Sequence, residues 1–268
     1  MTTPTPETEN SSEYRYTTDG GISVIRRMTT ITYENATEGL IDALDQTKGV
    51  LLSSSYEFPG RYSRWDMGFD TPPLEITGRE RGFAIRALND RGRVLLDIIS
   101  NTLGNHPHIE GVTDGDDGLY GYVKTPASWF PEEQRSQQPS LFSVARALRD
   151  LFAHKGDERL GLYGAFGYDI ALHFEQINLT QDRPADHKDI HLFLPDRLIT
   201  VDHASRVATK IEYEFITPDG HSTVGLERVS QSHPPSRGNN AVVENDMKPG
   251  EYAAIVDETK PRFARGEL

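Results

Sequence analysis

The apolar residues of this 268-residue chain come in short runs separated by turn-forming residues, a pattern typical of strands. Runs that alternate or cluster in the manner of strands occupy 22–33, 50–52, 74–77, 82–88, 119–124, 160–168, 190–201 and 207–216. Most are joined by tight turns, whereas parallel neighbours would need long crossover connections. The pattern therefore predicts an α+β fold built mainly from antiparallel β-sheets with flanking helices.

Details of the strands predict how some of them are placed. The runs 190–201 and 207–216 flank the turn residues 202–205, which predicts a hairpin. The run 22–33 mixes apolar and basic residues, which favours a strand pair or an edge strand. Glycines recur at every third position of 160–168. Glycine inside a strand indicates a bulge, or the close approach of another backbone or of a ligand.

Helical spacing of apolar residues predicts four helices, at 36–45, 94–103, 140–153 and 249–265. Ser140 is a good N-cap candidate for the third, and Pro261 should kink or split the fourth. Residues 169–174 look like one helical turn, 89–92 like a turn and 106–118 like a loop. The polar segments 1–13 and 218–247 predict a disordered tail and a linker or mobile loop.

The stretch 49–69, GVLLSSSYEFPGRYSRWDMGF, contains the clearest candidate binding residues. Its apolar run Val50–Leu52 is followed by three serines, where a packed strand would continue with large apolar residues. After the turn signal Pro59–Gly60, a second strand-like run contains Arg64 and Trp65. Hydroxyls at the end of one strand and arginines on the next could bind a small anion or zwitterion. The alternative is a serine-rich strand end beside a turn.

Charge and composition disfavour several classes of protein. The net charge of −13 disfavours a nucleic-acid-binding protein, which needs a basic surface. The absence of cysteine excludes disulfides, cysteine-based zinc sites and thiol nucleophiles. No stretch has the roughly 18 uncharged apolar residues that would span a membrane, and the N-terminal residues lack the apolar core of a signal peptide. We expect a cytoplasmic protein.

Familiar catalytic and metal-binding patterns are missing from the sequence. There is no P-loop, no G-x-S-x-G motif and no H-E-x-x-H motif. Asp114, Asp116 and Asp117 lack the later glutamate of an EF-hand loop. His187 and His191 are better interpreted as surface or hydrogen-bonding histidines than as metal ligands. The residues alone therefore predict no catalytic or metal site in this chain.

Four blocks of sequence resemble the N-terminal half of anthranilate synthase component I and occur in that family's order. They are GVLLSSSYEFPGRYSRWDMGFDTPPLEITG, GLYGAFGYDIALHFE, DIHLFLPDRLITVDH and GEYAAIVDETKPRFARGEL. The likeness is closest to the subtype in which synthase and glutamine amidotransferase share one polypeptide. The last block resembles the helix with which the family enters its chorismate-binding domain. The matches run from about Arg15 to the last residue.

The resemblance implies that this region houses much of a site where tryptophan, the end product, inhibits the enzyme. The family's Leu-Leu-Glu-Ser motif falls on Leu51–Ser54. Ser54 takes the place of the serine that contacts tryptophan, and Ser53 replaces the usual glutamate, which bears on the strength of feedback. Arg64 falls where a lysine of that site lies, and an arginine could bind the ligand carboxylate. The implied tryptophan-binding residues are Leu52, Ser53, Ser54 and Arg64.

The resemblance also implies that the catalytic residues lie in a C-terminal half, which this chain does not contain. That half would carry the Mg²⁺-binding glutamates and the chorismate-binding groups. The chain is then expected to be an inactive fragment of an enzyme that converts chorismate and glutamine-derived ammonia to anthranilate and pyruvate. Its expected partners are the chorismate-binding domain and a glutamine amidotransferase domain, fused or separate. A homo-oligomer is a further expectation.

The domain boundaries that follow are a regulatory domain at 14–217, a linker at 218–247, and at 248–268 the first helix leading into the chorismate-binding domain. Exposed apolar surface is expected where the catalytic half would pack. Two alternatives remain. One is the N-terminal region of an aminodeoxychorismate or aminodeoxyisochorismate synthase, and the other is a stand-alone small-ligand sensor module.

Overall fold

The computed structural model describes residues 11–54, 64–126, 130, 134, 137–175, 177, 179–180, 182–229 and 247–267. They belong to two compact units, one within residues 1–234 and one within residues 235–268. In its described part, the first unit has two six-stranded antiparallel sheets with helices. The second unit contributes one helix. The predicted α+β fold, mainly of antiparallel sheets, is confirmed.

The first sheet is made of β1 (Ser11–Thr17), β2 (Ser23–Ile31), β3 (Gly49–Ser53), β4 (Trp65–Asp70), β11 (Arg197–Asp202) and β12 (Val207–Ile216). Its strand order is β1-β2-β12-β11-β4-β3. The hairpin predicted across residues 202–205 is confirmed, with Leu198 opposite Ile211. Strand β3 lies at one edge of the sheet and pairs only with β4 there, in a register that sets Ser53 opposite Asp66.

The second sheet is made of β5 (Leu74–Arg79), β6 (Gly82–Ala87), β7 (Ile109–Gly115), β8 (Gly118–Val123), β9 (Tyr163–Phe166) and β10 (Ile190–Leu194). Its strand order is β7-β8-β6-β5-β10-β9. Gly164 of β9 has φ of +151°, and a Cβ there would meet the carbonyl oxygen of His191 at 2.2 Å. For Gly164 the glycine pattern therefore marks the close approach of a neighbouring backbone.

The helices are α1 (Glu38–Leu44), α2 (Asp90–Gly104), α3 (Leu141–Phe152) and α4 (Glu251–Ala264), with a 3-10 helix at Tyr168–His173. Helices α2 and α3 pack on each other and on the second sheet. The aromatic ring of Phe152 in α3 lies 5.8 Å from that of Phe215 in the first sheet. The Phe69 and Phe193 rings, one from each sheet, are 6.0 Å apart. One apolar core therefore joins both sheets.

Residues 190–201 form parts of two strands rather than the single continuous strand that was predicted. Strand β10 ends at Leu194 in the second sheet, and β11 starts at Arg197 in the first. Pro195 between them has no N–H to donate to a sheet ladder. The buried side chain of Asp196 bonds to Arg91 instead of continuing a strand face. The chain therefore passes from one sheet to the other at these two residues.

Two segments predicted as turn or loop belong to regular elements. The turn predicted at 89–92 is the start of α2, where the Asn89 side chain accepts a hydrogen bond of 3.1 Å from the N–H of Gly92. Asn89 is thus the N-cap, a role in which asparagine is favoured. The loop predicted at 106–118 contains β7, whose register shift between Glu110 and Thr113 disturbs the alternation that would have indicated a strand.

The N-terminal strands also differ from the prediction. Strand β1 begins at Ser11, inside the segment 1–13 predicted as a disordered tail, and residues 1–10 lie outside the described residues. Strand β2 is an interior strand rather than an edge strand, because β1 and β12 flank it. Arg27 of β2 pairs with Glu13 of β1 at 3.0 Å, so the basic residues of the run serve cross-strand pairing.

The segment 218–247 was predicted to have nothing that could enter a core, but part of it is buried. The side chain of Thr223 is 0% exposed, and its hydroxyl accepts a hydrogen bond of 2.9 Å from the N–H of Phe215. The carbonyl oxygens of Thr223 and Leu226 accept hydrogen bonds from buried Arg91. Residues 218–229 are therefore attached to the first unit, and residues 230–246 lie outside the described residues.

Two further predicted elements differ from the structure, one in its length and one in its continuity. The strand predicted at 160–168 is reduced to Tyr163–Phe166, followed by the short helix that residues 169–174 predicted. Helix α4 runs unbroken through Pro261, which neither splits nor ends it. No side chain of α4 is buried, and Tyr252 and Phe263 are 69% and 65% exposed. Ser140 is the N-cap residue of α3, as predicted.

Candidate ligand site at the edge of the first sheet

The predicted site residues lie together at the end of β3 and the start of β4. Leu52 pairs with Met67 and Ser53 with Asp66 in the β3–β4 register. Successive side chains of a strand point to opposite faces of the sheet. Leu52 and Ser53 therefore line different faces. Residues 55–63, which connect the two strands, lie outside the described residues and include the predicted turn at Pro59–Gly60.

Ser54 fixes the backbone of β4 where that strand begins. Its hydroxyl accepts hydrogen bonds from the N–H of Arg64 at 3.2 Å and of Trp65 at 3.4 Å. The same hydroxyl lies 3.3 Å from the carbonyl oxygen of Trp65, to which it can donate. Ser54 thus holds Arg64 and Trp65 in position.

Arg64 lies beside Trp65 and pairs with a carboxylate of a neighbouring strand. Its guanidinium carbon is 5.0 Å from the centre of the Trp65 ring, within the range of a cation–π contact. Its Nη2 is 3.4 Å from Oδ2 of Asp202, and the Arg64 side chain is 62% exposed. A solvent-exposed pair of this length is weak. The guanidinium is therefore accessible to a ligand only in competition with Asp202.

Ser53 belongs to a chain of polar contacts on the other face. Its hydroxyl donates to Oδ1 of Asp66 at 2.7 Å. The second oxygen of Asp66 lies 2.9 Å from Nε2 of His203, whose Nδ1 lies 2.9 Å from the Tyr33 hydroxyl. The serine that stands in place of the family's glutamate is thus already bonded to a carboxylate from the neighbouring strand. These contacts link β3 and β4 to the turn after β11 and to Tyr33, two residues beyond the end of β2.

A further cation beside Trp65 has no counterpart among the residues singled out from the sequence. The guanidinium carbon of Arg159 also lies 5.0 Å from the centre of the Trp65 ring. Arg159 precedes β9 and is far from Trp65 along the chain, so no local pattern indicates the contact. We use the name Trp65 cluster for Ser54, Arg64, Trp65, Arg159 and Asp202. The cluster offers an aromatic ring, two cations and a hydroxyl, a set suited to a ligand with a carboxylate.

The other residues that were considered as metal ligands from the sequence lie in other parts of the fold. Asp117 receives a hydrogen bond of 2.5 Å from the Tyr120 hydroxyl and pairs with Arg86 at 3.3 Å, in the β7–β8 turn. His191 bonds to Glu75 at 2.8 Å, whereas His187 lies near a different carboxylate, that of Asp169. These contacts give His191 and Asp117 hydrogen-bonding roles, whereas His187 is an exposed residue 4.0 Å from the nearest oxygen of Asp169.

One further trio of possible metal ligands, Asp97, Asp219 and His221, occurs in the described part of the chain. All three residues are exposed. His221 and Asp219 already form a pair of 3.4 Å between them. Exposed acidic groups without a built second shell give no evidence for a metal site.

Glu75 shows how this fold stabilises a buried carboxylate. It is 3% exposed and lies 2.9 Å from Nζ of Lys48 and 2.8 Å from Nε2 of His191. Burial acts to raise the pKa of Glu75, but the hydrogen bonds from His191 and Lys48 outweigh it and lower the pKa to about 2. Glu75 is therefore a strongly ionised structural group.

Comparison with known proteins identifies relatives in one group of enzymes. No family model matches the chain. The chain is 44% identical over 254 residues to a protein named anthranilate synthase from Azospirillum brasilense, a match that covers 95% of this chain and 34% of that protein. It is 27% identical over 172 residues to a pyocyanine-specific anthranilate synthase component 1 from Pseudomonas aeruginosa, covering 64% of this chain and 31% of that protein.

A third relative agrees with these two. The chain is 25% identical over 189 residues to anthranilate synthase component 1 from Haemophilus influenzae, covering 69% of this chain and 36% of the relative. The chain thus spans about a third of the length of the curated relatives it matches. The matches define its class as a region of an anthranilate synthase-like protein. The chain belongs to the anthranilate synthase component 1 family, to its N-terminal region, as the resemblance of the four blocks implied.

The helices of the described residues were also compared with the length and apolarity that a membrane requires. None is both long enough and apolar enough to span a bilayer.

Proposed function

We propose that this chain is the tryptophan-responsive regulatory region of an anthranilate synthase and is inactive in isolation. The observation that carries the proposal is the 44% identity, over 95% of the chain, to a protein named anthranilate synthase. The complete enzyme would convert chorismate and ammonia, taken from glutamine by an amidotransferase partner, to anthranilate and pyruvate. The relatives quoted above are all named for anthranilate, which favours this product over the aminodeoxychorismate alternatives.

The geometry supports a regulatory rather than a catalytic role. The Trp65 cluster has groups that can bind a carboxylate and an aromatic ring, and its hydroxyl contacts backbone amides of β4. Its carboxylate, that of Asp202, is paired with Arg64 rather than free to act as a general acid or base. We assign Mg²⁺ and chorismate to the remaining two-thirds of the enzyme, and tryptophan to a site that includes Leu52, Ser53, Ser54 and Arg64.

The contacts suggest separate contributions from these four residues. Leu52 is 47% exposed and offers apolar surface to an indole ring. Ser54 orients the start of β4, and Arg64 supplies a cation beside the Trp65 ring. Ser53 acts indirectly, because its hydroxyl is bonded to Asp66. Since Ser53 faces away from Leu52, its replacement should change tryptophan inhibition less than replacement of Ser54.

The catalytic part of the proposal is tested with two proteins. The purified 268-residue chain and the full-length product of its gene are assayed for anthranilate fluorescence with chorismate, ammonia and Mg²⁺. We expect turnover from the full-length protein and none from the chain alone. Robust turnover by the chain would overturn the assignment of catalysis to another region. A full-length product that binds tryptophan but forms no anthranilate would favour the stand-alone sensor.

The regulatory part is tested in the full-length protein by inhibition with L-tryptophan. We expect Ser54→Ala and Arg64→Met to raise the concentration of tryptophan for half-inhibition about 10-fold each, while kcat stays unchanged, because each variant loses one hydrogen-bonding or charged contact. Arg149→Met is the matched control, since Arg149 is an exposed helix residue paired with Asp150. Unchanged inhibition in both site variants would contradict the site assignment.

A further inference from the structure

The Trp65 ring lies close to two guanidinium groups that come from distant parts of the chain. Arg64 precedes it in sequence, and Arg159 lies before β9. Each guanidinium carbon is 5.0 Å from the ring centre, so the two cations are at most twice that distance apart. Two cations beside one ring favour an anion there, and only one of them, Arg64, is paired with a carboxylate among the described residues.

The two arginines differ in what they already bind. Arg64 is paired with Asp202 at 3.4 Å. Among the described residues, no carboxylate or carbonyl oxygen accepts a hydrogen bond from the Arg159 guanidinium, which contacts the Trp65 ring. A guanidinium has five N–H donors in a planar fork that matches a carboxylate. Arg159 therefore has more free donor capacity for a carboxylate than Arg64 does.

The backbone of Arg159 is held in place from both sides. Its N–H donates to Oδ1 of Asp157 at 3.0 Å, and its carbonyl oxygen accepts a hydrogen bond of 2.6 Å from the Tyr163 hydroxyl. Asp157 is itself buried and anchored, since its other oxygen accepts from the Tyr16 hydroxyl at 2.8 Å and lies 3.2 Å from Nη1 of Arg26. A ligand that binds Arg159 therefore does not have to order the backbone that carries this side chain.

We propose that Arg159 binds the carboxylate of an aromatic amino acid at the Trp65 cluster, while Arg64, engaged with Asp202, orients the Trp65 ring. The assignment rests on the proposed function, because it takes the ligand to be tryptophan. It changes the roles inferred from the sequence, in which Arg64 was the carboxylate-binding residue. Arg159 supplies the free, pre-positioned cation, and Arg64 becomes a positioning residue.

The experiment removes the charge from the protein and the carboxylate from the ligand, separately and together. Calorimetric titration of the full-length protein uses L-tryptophan and L-tryptophanamide, which keeps the ring and amine but has a neutral amide in place of the carboxylate. The variants are Arg159→Met, Arg64→Met and, as a matched control, Arg149→Met. For Arg159→Met we expect roughly 10- to 100-fold weaker binding of L-tryptophan and little change for the amide.

Arg64→Met gives the contrast. If Arg64 acts through Trp65, its loss should weaken both ligands by similar factors. Arg149→Met should change neither affinity. Circular dichroism checks that Arg159→Met is folded. If it is not, Arg159→Lys, which keeps the charge but loses the fork, is measured against the same two ligands, and a selective loss for L-tryptophan supports the assignment.

Two outcomes overturn the inference, and they can be told apart. If the unmodified protein binds L-tryptophan but Arg159→Met weakens both ligands equally or neither, then Arg159 does not contact the carboxylate, and the proposed function still stands. If the unmodified protein binds no L-tryptophan at all, the proposed function fails and the assignment of Arg159 fails with it.

Discussion

Arg91 and Arg64 belong to the same unit but lie in opposite environments. The Arg91 side chain is 0% exposed, and that of Arg64 is 62% exposed. We use the name Arg91 cluster for Arg91, Asp196, Glu214 and Arg228, together with the carbonyl groups of Tyr213, Thr223 and Leu226, which bond to these arginines. The Arg91 cluster joins α2, β12, the β10–β11 junction and residues 223–228.

The difference shows how burial decides the use of an arginine. Each nitrogen of the buried Arg91 guanidinium has a protein acceptor, so this residue is a structural cross-link. Burial raises the pKa of Asp196, although Arg91 and Arg228 act in the opposite direction. Arg64, by contrast, has one long contact to a carboxylate and water around it. The Arg91 cluster should govern stability, and the Trp65 cluster should govern ligand response.

The largest effect is expected when the Arg91 cluster is broken. Arg91→Met leaves Asp196 in the interior with Arg228 as its remaining cation, and the carbonyl groups of Tyr213, Thr223 and Leu226 each lose a hydrogen bond from Arg91. Breaking a buried pair in this way costs about 3–5 kcal/mol. Urea denaturation should show this loss in the free energy of unfolding. Arg149→Met, which breaks the exposed pair with Asp150, should cost about 0.5 kcal/mol or less. Equal costs would refute the comparison.

The ion pairs of Glu75 are intermediate in exposure between the Arg91 cluster and the Trp65 cluster. Glu75 is buried, whereas the side chains of its partners Lys48 and His191 are 29% and 37% exposed. Its folded-state pKa of about 2 lies below the ordinary value of 4.5. Its ionised form therefore stabilises the fold above pH 4.5, and this stabilisation is lost as the pH falls from 4.5 towards 2. The shift corresponds to up to about 3 kcal/mol.

The measurement for Glu75 compares the natural protein with Glu75→Gln by denaturation at a series of pH values. The stability difference should shrink as the pH falls from 4.5 towards 2, because the carboxylate becomes protonated whereas glutamine cannot ionise. A difference that stayed the same down to pH 2 would show that the charge of Glu75 does not account for it.

Substitution of a glycine tests how tightly the start of α2 is packed beside Arg91, with a smaller expected effect on stability. A Cβ on Gly92 would lie 2.1 Å from the carbonyl oxygen of Pro73, whereas a Cβ on Gly104 of the same helix meets nothing within 4 Å. Gly92→Ala should destabilise the protein by about 1–3 kcal/mol through backbone shifts. Gly104→Ala should be neutral or stabilise it by up to about 1 kcal/mol, since alanine has the higher helix propensity. Thermal melts of both variants distinguish steric clash from propensity.

The smallest stability effect is expected in the Trp65 cluster. Arg64→Met removes an exposed pair and should change the free energy of unfolding by about 0.5 kcal/mol or less. Its effect should appear in tryptophan binding instead. If Arg64→Met destabilised the protein as much as Arg91→Met does, the separation of structural and ligand-responsive arginines would be wrong.

The sequence predicted much of the fold because periodicity is local. The spacing of Leu95, Ile99 and Leu103 indicated α2, and all three are fully buried. Turn residues between two alternating runs indicated the β11–β12 hairpin. The prediction failed where a side chain far along the chain decides the local conformation. Asn89–Gly92 has the composition of a turn, yet it starts a helix in which Arg91 is held by Asp196.

The candidate site also has features that the sequence predicted and features that only the fold could show. Ser54 and Arg64 could be named as candidates from the sequence, because a strand, a turn and a second strand bring near neighbours together. The family resemblance also implied that Ser54 lies in its motif and that Arg64 lies at the position of a lysine of the same site. The sequence could not show that Ser53 faces away from Leu52 towards Asp66, because that follows from the pairing register. It also could not show that the Arg64 guanidinium is paired with Asp202.

By itself, the sequence determined the class of fold, the family and the segment proposed as a ligand site, since these depend on residue periodicity and on blocks of neighbouring residues. Only the tertiary structure decided that Asp157 and Tyr163 hold Arg159 beside Trp65, and that Arg91 is a buried cross-link. Both arginines are unremarkable in the sequence. Their roles differ because strand order and packing determine which arginine is surrounded by acceptors and which keeps donors free.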